Sequence, residues 1–193
     1  VLCGLLAVLG CGLLLRLGQR GARRYGDLMP QRFHIGHVPR LGGAAMFVAC
    51  TGGWAWLALA KPVFGVDHGI PFDAALAGAW WLVALVGAAS GVIEDLTHKL
   101  PARLRFVSTA LAALLAVLLF ELLLPRTGLA WLDGAWQHAR WLQVGVAILV
   151  LAGLPHAFNL IDGYNGLAGT VALICCAALI HVALQLGDRQ LAA

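Results

Sequence analysis

The sequence predicts an all-α fold, a polytopic integral membrane bundle of about six transmembrane helices. Hydrophobic residues make up 61% of the chain and charged residues 11%, and the mean hydropathy is +0.87. Soluble domains are usually about 45–50% apolar and about 25% charged, so most of this chain is expected to face lipid. The apolar residues form long runs without the period-two alternation of a transmembrane barrel strand, which leaves helices as the spanning elements.

Six apolar segments have the length that a helix needs to cross the hydrocarbon core, about 20 residues. They comprise residues 1–17, 41–60, 74–93, 106–124, 142–158 and 167–186. Arginines follow the first segment, whereas a secretory signal carries its basic residues before the apolar core, so this segment is also predicted to span. Residues 1–193 are expected to form a single membrane domain.

The basic residues are divided unequally between the two sets of loops that six spans create. Nine lie on one side, namely Arg16, Arg20, Arg23, Arg24, Arg32, Arg40, Lys99, Arg103 and Arg105, and four on the other, namely Lys61, Arg126, Arg140 and Arg189. Positively charged loops favour the cytoplasm, so the nine are predicted to face it. This bias explains the net charge of +4 as an orientation signal and a contact with membrane lipid, and no nucleic-acid partner is expected.

The fifth and sixth spans are joined by a polar segment with several glycines, residues 159–167. It contains Asn159, Asp162 and Asn165. Non-helical backbone and an ionisable side chain beside hydrocarbon are costly unless they are paired, solvated or bound to metal. The segment is therefore predicted to be part of a functional site on the cytoplasmic side.

Two adjacent carboxylates, Glu94 and Asp95, lie at the end of the third span. They repel each other, which a bound cation would offset. Mg²⁺ prefers oxygen ligands and commonly takes one or two protein carboxylates, which makes it the leading candidate, with Mn²⁺ as an alternative. The other interpretation is an interfacial ion pair between Asp95 and Lys99 at the i,i+4 spacing.

A third polar segment, residues 34–43, precedes the second span. Pro39 favours extended backbone before it, and Gly42 and Gly43 allow a ligand to approach the start of the helix closely. With Arg40 beside it, such a helix start suits an anionic phosphate. Alternatively, Arg40 is an orientation charge and the glycines serve close helix packing.

Taken together, the three segments resemble the polyprenyl-phosphate N-acetylhexosamine-1-phosphate transferase family, glycosyltransferase family 4, in its N-terminal portion. The motifs are His34-x-Gly36-x-x-Pro39-x-x-Gly42-Gly43, Glu94-Asp95 closing a span, and Asn159-x-x-Asp162-Gly163-x-Asn165-Gly166-Leu167. The resemblance implies transfer of an N-acetylamino-sugar-1-phosphate from a UDP-sugar to undecaprenyl phosphate with release of UMP. It places this reaction at the start of O-antigen or cell-envelope polysaccharide synthesis.

The resemblance also implies roles for individual residues. Catalysis and Mg²⁺ binding are expected of Glu94, Asp95 and Asp162, and substrate binding of Asn159, Asn165, Arg40, Gly42, Gly43, Lys99 and His34. The expected partners are undecaprenyl phosphate, a UDP-amino sugar and membrane lipid, with a homodimer as an open alternative. The protein is expected to be a multi-pass protein of the bacterial inner membrane. Its active site is expected to face the cytoplasm.

The chain departs from the family pattern at two of these positions. Glu94 stands where the family has the first of two aspartates, and Asn165 stands where it has a further aspartate and cannot ionise. The later cytoplasmic motifs of the family do not occur in the sequence, so the chain is expected to be the N-terminal part of a larger transferase or a truncated gene product. Residues 1–193 alone are expected to have no transferase activity. A secondary transporter, whose site should lie near the bilayer midplane, and a non-catalytic scaffold are the alternative functions.

Other polar and aromatic residues are predicted to have structural roles. His156 follows Pro155 near the end of the fifth span and is expected to satisfy a helix disturbed by that proline. Trp136, like the other tryptophans, is expected to be an outer-interface anchor or to pack against lipid.

Overall fold

The computed structural model describes residues 42–97, 100–162 and 166–192, and five helical positions of the first apolar segment, namely Leu9, Gly10, Gly12, Leu13 and Arg16. This part of the chain contains helices and loops and no strand. Its helices are α1 (Gly42–Phe64), α2 (Ala74–Thr97), α3 (Ala102–Phe120), α4 (Ala130–His138), α5 (Arg140–Ile161), α6 (Leu167–Gln185) and α7 (Arg189–Ala192). The predicted all-α class is confirmed.

Five of the described helices, α1, α2, α3, α5 and α6, are long and apolar enough to cross a membrane. Each coincides with a predicted span, although the observed helices start or end up to four residues away from the predicted bounds. The protein is therefore a multi-pass membrane protein. Apart from its five helical positions, the first predicted span lies outside the described residues.

The ends of the spanning helices follow from local backbone chemistry. Pro101 is extended, with φ −66° and ψ 147°, and its carbonyl accepts the first helical bond of α3 from the N–H of Leu104, at 3.0 Å. Glu121 ends α3 in the left-handed conformation, with φ 51°. Gly166 adopts φ 78° immediately before α6, a conformation that glycine reaches without a steric penalty.

The chain divides into two compact units, one formed by Val1–Trp81 with Phe158–Ala193 and the other by Leu82–Ala157. In the described part of the chain, ten of the twelve buried hydrophobic residues are alanines, and the other two are Val117 and Trp136. Small side chains let helix backbones approach closely, which is how packing is gained in lipid. In the second unit, a Cβ atom placed on Gly87 would lie 3.6 Å from that of Ala112.

The connection from α3 to α5 contains the short helix α4, which the sequence patterns did not predict. Its Trp136 is buried, and the indole Nε1–H donates a 2.7 Å hydrogen bond to the carbonyl of Leu124. The Nε2 amide of Gln143 donates to the carbonyl of Trp136, at 2.8 Å. Trp136 therefore holds this connection together, and its expected role as an interface anchor or lipid contact is wrong.

Two aspartates organise the loops on the predicted outer side. Asp133 Oδ1 accepts hydrogen bonds from the hydroxyl of Thr127, at 2.5 Å, and from the backbone N–H of Thr127, at 2.7 Å. These bonds hold the pKa of Asp133 below its usual value. Asp67 bonds the Nζ of Lys61 at 2.8 Å and accepts from the N–H of Gly69 at 2.9 Å. The bond from Lys61 is the main reason that the pKa of Asp67 is lowered.

Candidate active site

Glu94 and Asp95 lie in the last turn of α2, in the second unit, and both side chains are half-buried. Glu94 Oε2 accepts a 3.0 Å hydrogen bond from the backbone N–H of Leu100. This bond ties the end of α2 to the chain that leads into α3. A carboxylate offers about four lone-pair positions, so Glu94 keeps acceptor capacity beyond this bond.

The donor set at the end of α2 suits a hard cation. Glu94 and Asp95 supply carboxylate oxygens, and Mg²⁺ is commonly bound by one or two carboxylates together with water and substrate phosphates. The described residues contain no group of three or more His, Cys, Asp or Glu side chains placed to hold a metal ion by themselves. The alternative pair of Asp95 with Lys99 stays untested, because Lys99 lies outside the described residues.

Arg105, in the first turns of α3, is a candidate that the sequence patterns did not single out. Its Nε atom is buried and has no hydrogen-bond partner among the residues that the structure describes. An unmatched guanidinium donor is costly, so this position suits an anionic acceptor. From the sequence, Arg105 counts only as one of nine cytoplasmic charges, and nothing there distinguishes it from exposed Arg103.

His156 is also in the second unit, and its contacts differ from those expected. Its Nε2 lies 3.1 Å from the hydroxyl of Thr109 in α3, and its ring stacks on Phe106 with centroids 5.8 Å apart. His156 therefore forms its hydrogen bond with a neighbouring helix and not within α5, directly after the position disturbed by Pro155. Sequence could not reveal this partner, because 47 positions separate the two residues.

The first unit contains the other described residues of the predicted site. Asn159 is exposed in the last turn of α5, and exposed Asp162 follows that helix in a turn. Gly42 and Gly43 begin α1, are exposed, and have no described neighbouring atom within 4 Å of an added Cβ. The described part of the chain thus gives no support to close packing as the reason for this glycine pair.

The predicted site residues therefore fall into three sets. Glu94 and Asp95 belong to the second unit, as does Arg105, while Asn159, Asp162, Gly42 and Gly43 belong to the first unit. The remaining predicted residues lie outside the described positions, and they are His34, Arg40, Lys99 and Asn165.

The fold and these residues define a multi-pass helical membrane protein with acidic and amide side chains at helix ends. The chain belongs to glycosyl transferase family 4, whose sequence pattern matches residues 77–193, more than half of its length. The matched part includes Glu94, Asp95, Asn159 and Asp162, and it does not include the segment 34–43. The family resemblance derived from the sequence motifs is confirmed.

The chain is also similar to a curated protein of Bacillus subtilis (strain 168), a probable undecaprenyl-phosphate N-acetylglucosaminyl 1-phosphate transferase. The two are 24% identical over 157 residues, which cover 81% of this chain and 40% of the relative. The chain thus spans about two fifths of the length of that relative. No solved structure matches the chain.

Proposed function

We propose that the protein transfers an N-acetylamino-sugar-1-phosphate from a UDP-sugar to undecaprenyl phosphate and releases UMP. The observation that carries this proposal is the family match, which includes both acidic segments, Glu94 with Asp95 and Asn159 to Asp162. The name of the Bacillus relative supports the same lipid acceptor. The reaction opens O-antigen or cell-envelope polysaccharide synthesis, at the cytoplasmic side of the bacterial inner membrane.

The reaction exchanges one phosphoanhydride bond for another. A phosphate oxygen of the lipid attacks the phosphorus attached to the sugar, the bond to the uridine phosphate breaks, and UMP leaves with the bonding electron pair. Both substrates are anionic, so charge neutralisation and positioning are the main tasks of the protein. Bound Mg²⁺ would supply charge stabilisation, with Mn²⁺ as an alternative ion. Its proposed ligands are Glu94 and Asp95 at the end of α2, and the family resemblance adds Asp162.

Among the described residues, Arg105 is suited to bind a substrate phosphate, because its buried Nε–H has no partner in that part of the chain. Asn159, exposed at the end of α5, can donate and accept hydrogen bonds to polar groups of the sugar nucleotide. The resemblance adds further substrate contacts, namely Asn165, Arg40, Gly42, Gly43, Lys99 and His34.

The proposal is tested with the full-length protein in lipid nanodiscs that contain undecaprenyl phosphate. UDP-N-acetylglucosamine and other UDP-amino sugars are supplied with Mg²⁺, and UMP and the lipid-linked sugar are quantified. We expect the two products in equal amounts, a loss of both with EDTA, and their return with excess Mg²⁺. Failure of all UDP-amino sugars to yield UMP would contradict the proposal.

Arg105→Gln provides the matched test of the phosphate contact. It should lower kcat/KM by about tenfold or more, because a charge-assisted hydrogen bond to phosphate is lost. Arg189→Gln, which removes an exposed charge at the start of α7, should leave kcat/KM unchanged. Equal effects of the two substitutions would mean that Arg105 acts only through the overall charge of the protein and does not bind the substrate phosphate.

A further inference from the structure

The last part of α5 is held by fewer internal bonds than the rest of that helix. Pro155 lies inside α5 and has no N–H, so the carbonyl one turn earlier, at Leu151, loses its helical donor. Residues 156–161 follow this weak point, and they end in the turn that contains Asp162. Additional contacts are therefore needed to fix how this end of the helix is directed.

His156, the first residue after the proline, makes such a contact. The Thr109 hydroxyl lies 2.9 Å from the carbonyl of Phe106 and 3.1 Å from His156 Nε2. A hydroxyl has one hydrogen, and when Thr109 donates it to Phe106, the oxygen accepts from the Nε2–H of His156. The imidazole also stacks on the Phe106 ring, at an interplanar angle of 29°.

The helix that receives this bond is itself anchored. Ser108, adjacent to Thr109, donates a 2.6 Å hydrogen bond from its hydroxyl to the carbonyl of Val86 in α2. Two successive residues of α3 thus bond the two neighbouring helices of the second unit. Because α3 is fixed to α2 at this level, the contact from Thr109 can hold α5.

We propose that Thr109 and His156 are a positioning pair, which fixes the end of α5 after Pro155 and thereby the backbone that carries Asn159. The inference deepens the proposed function and rests on it, because Asn159 is a proposed contact of the sugar nucleotide. Neither member of the pair needs to touch substrate. His156 acts through the segment that follows it, three residues before Asn159.

Hydrogen–deuterium exchange tests the structural part of the inference without any substrate. Thr109→Val removes the hydroxyl at nearly constant volume. It should speed exchange of residues 156–161 about threefold, and at most about eighteenfold, as for other intramembrane hydrogen bonds. Residues 142–152, before the proline, should exchange as in the wild type. Thr109→Ser keeps the hydroxyl and should restore most of the protection.

Thr51→Val is the matched control for this experiment. Among the described residues, the Thr51 hydroxyl donates to the carbonyl of Phe47 in its own helix, at 2.8 Å, and its removal breaks no bond between described helices. It should leave residues 156–161 unchanged. Uniformly faster exchange along α3 and α5 in Thr109→Val, or no change after Pro155, would overturn the positioning role.

Kinetics then tests the link to the site. Thr109→Val and His156→Phe should each lower kcat/KM for the UDP-sugar about threefold or more, with the KM for undecaprenyl phosphate unchanged. The double variant should have the same kcat/KM as the less active of the two single variants, because both substitutions remove the same contact. Additive losses would overturn the pair. If the wild type has no transferase activity, the proposed function fails and so does its link to the pair, while hydrogen exchange still decides whether the contact holds α5.

Discussion

Glu94 and Leu100 are joined by a hydrogen bond of 3.0 Å, from the backbone N–H of Leu100 to the carboxylate of Glu94. One residue of the proposed metal site therefore also closes the connection between α2 and α3. The two tasks make different demands on the side chain. Closing the loop requires an acceptor at full reach, whereas binding a cation requires negative charge.

Substitutions at Glu94 should separate these tasks. Glu94→Gln keeps the reach and an acceptor oxygen but loses the charge, and Glu94→Asp keeps the charge but is one methylene shorter. We expect the thermal unfolding midpoint to fall in the order Glu, Gln, Asp, and UMP release to fall in the order Glu, Asp, Gln. Wild-type turnover in Glu94→Gln would remove Glu94 from the metal ligands and leave it a structural role.

Asp162→Asn should lower UMP release by about a hundredfold or more while the protein stays folded in the membrane, because an amide binds Mg²⁺ far less well than a carboxylate. Asp188→Asn is the control. Asp188 accepts a 2.9 Å bond from the N–H of Leu191, and asparagine keeps that acceptor. Near-normal turnover in Asp162→Asn would exclude an essential charge at this position. Asp95→Asn is expected to behave as Asp162→Asn does.

Trp136→Phe should lower the thermal unfolding midpoint by several degrees. The substitution leaves the carbonyl of Leu124 without the indole donor and removes part of a buried ring, at a cost of about 1–3 kcal/mol. Trp131→Phe, at a side chain that is 79% exposed, should have little effect. Equal shifts in the two variants would contradict the structural role of Trp136.

Thr127→Val should raise the pKa of Asp133 toward the usual value of an aspartate, because the Thr127 hydroxyl contributes most to the lowered pKa. The pKa of Asp133 is lower in the folded state than in the unfolded state. Its contribution to the free energy of unfolding is therefore fully present at pH values above the unfolded-state pKa, and it is lost as the pH falls through the folded-state pKa. Carboxyl ¹³C chemical shifts measured during a pH titration report this directly. An unchanged titration in the variant would leave the hydroxyl without a role.

Cysteines introduced one at a time at Lys99 and Gly134, in a background without native cysteines, should react with membrane-impermeant reagents from opposite sides. The positive-inside distribution predicts that Lys99 faces the cytoplasm and Gly134 the other side. Labelling in intact cells and in inverted vesicles measures this. Reaction of both from the same side would contradict the predicted orientation.

The spanning helices could be predicted from the sequence because length and hydropathy decide them almost alone. Helix α4 could not, since nine residues around Trp136 are too few for a clear period, and their conformation depends on bonds to Leu124 and Gln143. The helix starts and ends also differ from the predicted bounds. The length of an apolar run does not indicate where the backbone leaves the helical conformation, as it does at Pro101 and Glu121.

For the site, the sequence indicated residues whose presence beside lipid is costly, such as Glu94 and Asp162. It could not indicate residues whose meaning comes from their neighbours. Arg105 is notable only because its Nε is buried without a described partner, and His156 only because Thr109 lies beside it. Both facts depend on tertiary packing over tens of residues, which no local pattern contains.

The small interior has a consequence for any attempt to obtain this protein in water. Redesigning the outward-facing leucines and valines as charged residues would solubilise the surface. In the described part of the chain, however, the buried hydrophobic positions are mainly alanines, such as Ala45, Ala152 and Ala183. Among the described residues no large side chain is fully buried. Burial of an alanine side chain removes little apolar area from water, so the hydrophobic effect would contribute little to the folding of a version with a polar surface. A soluble analogue would need a new, larger core as well as a new exterior.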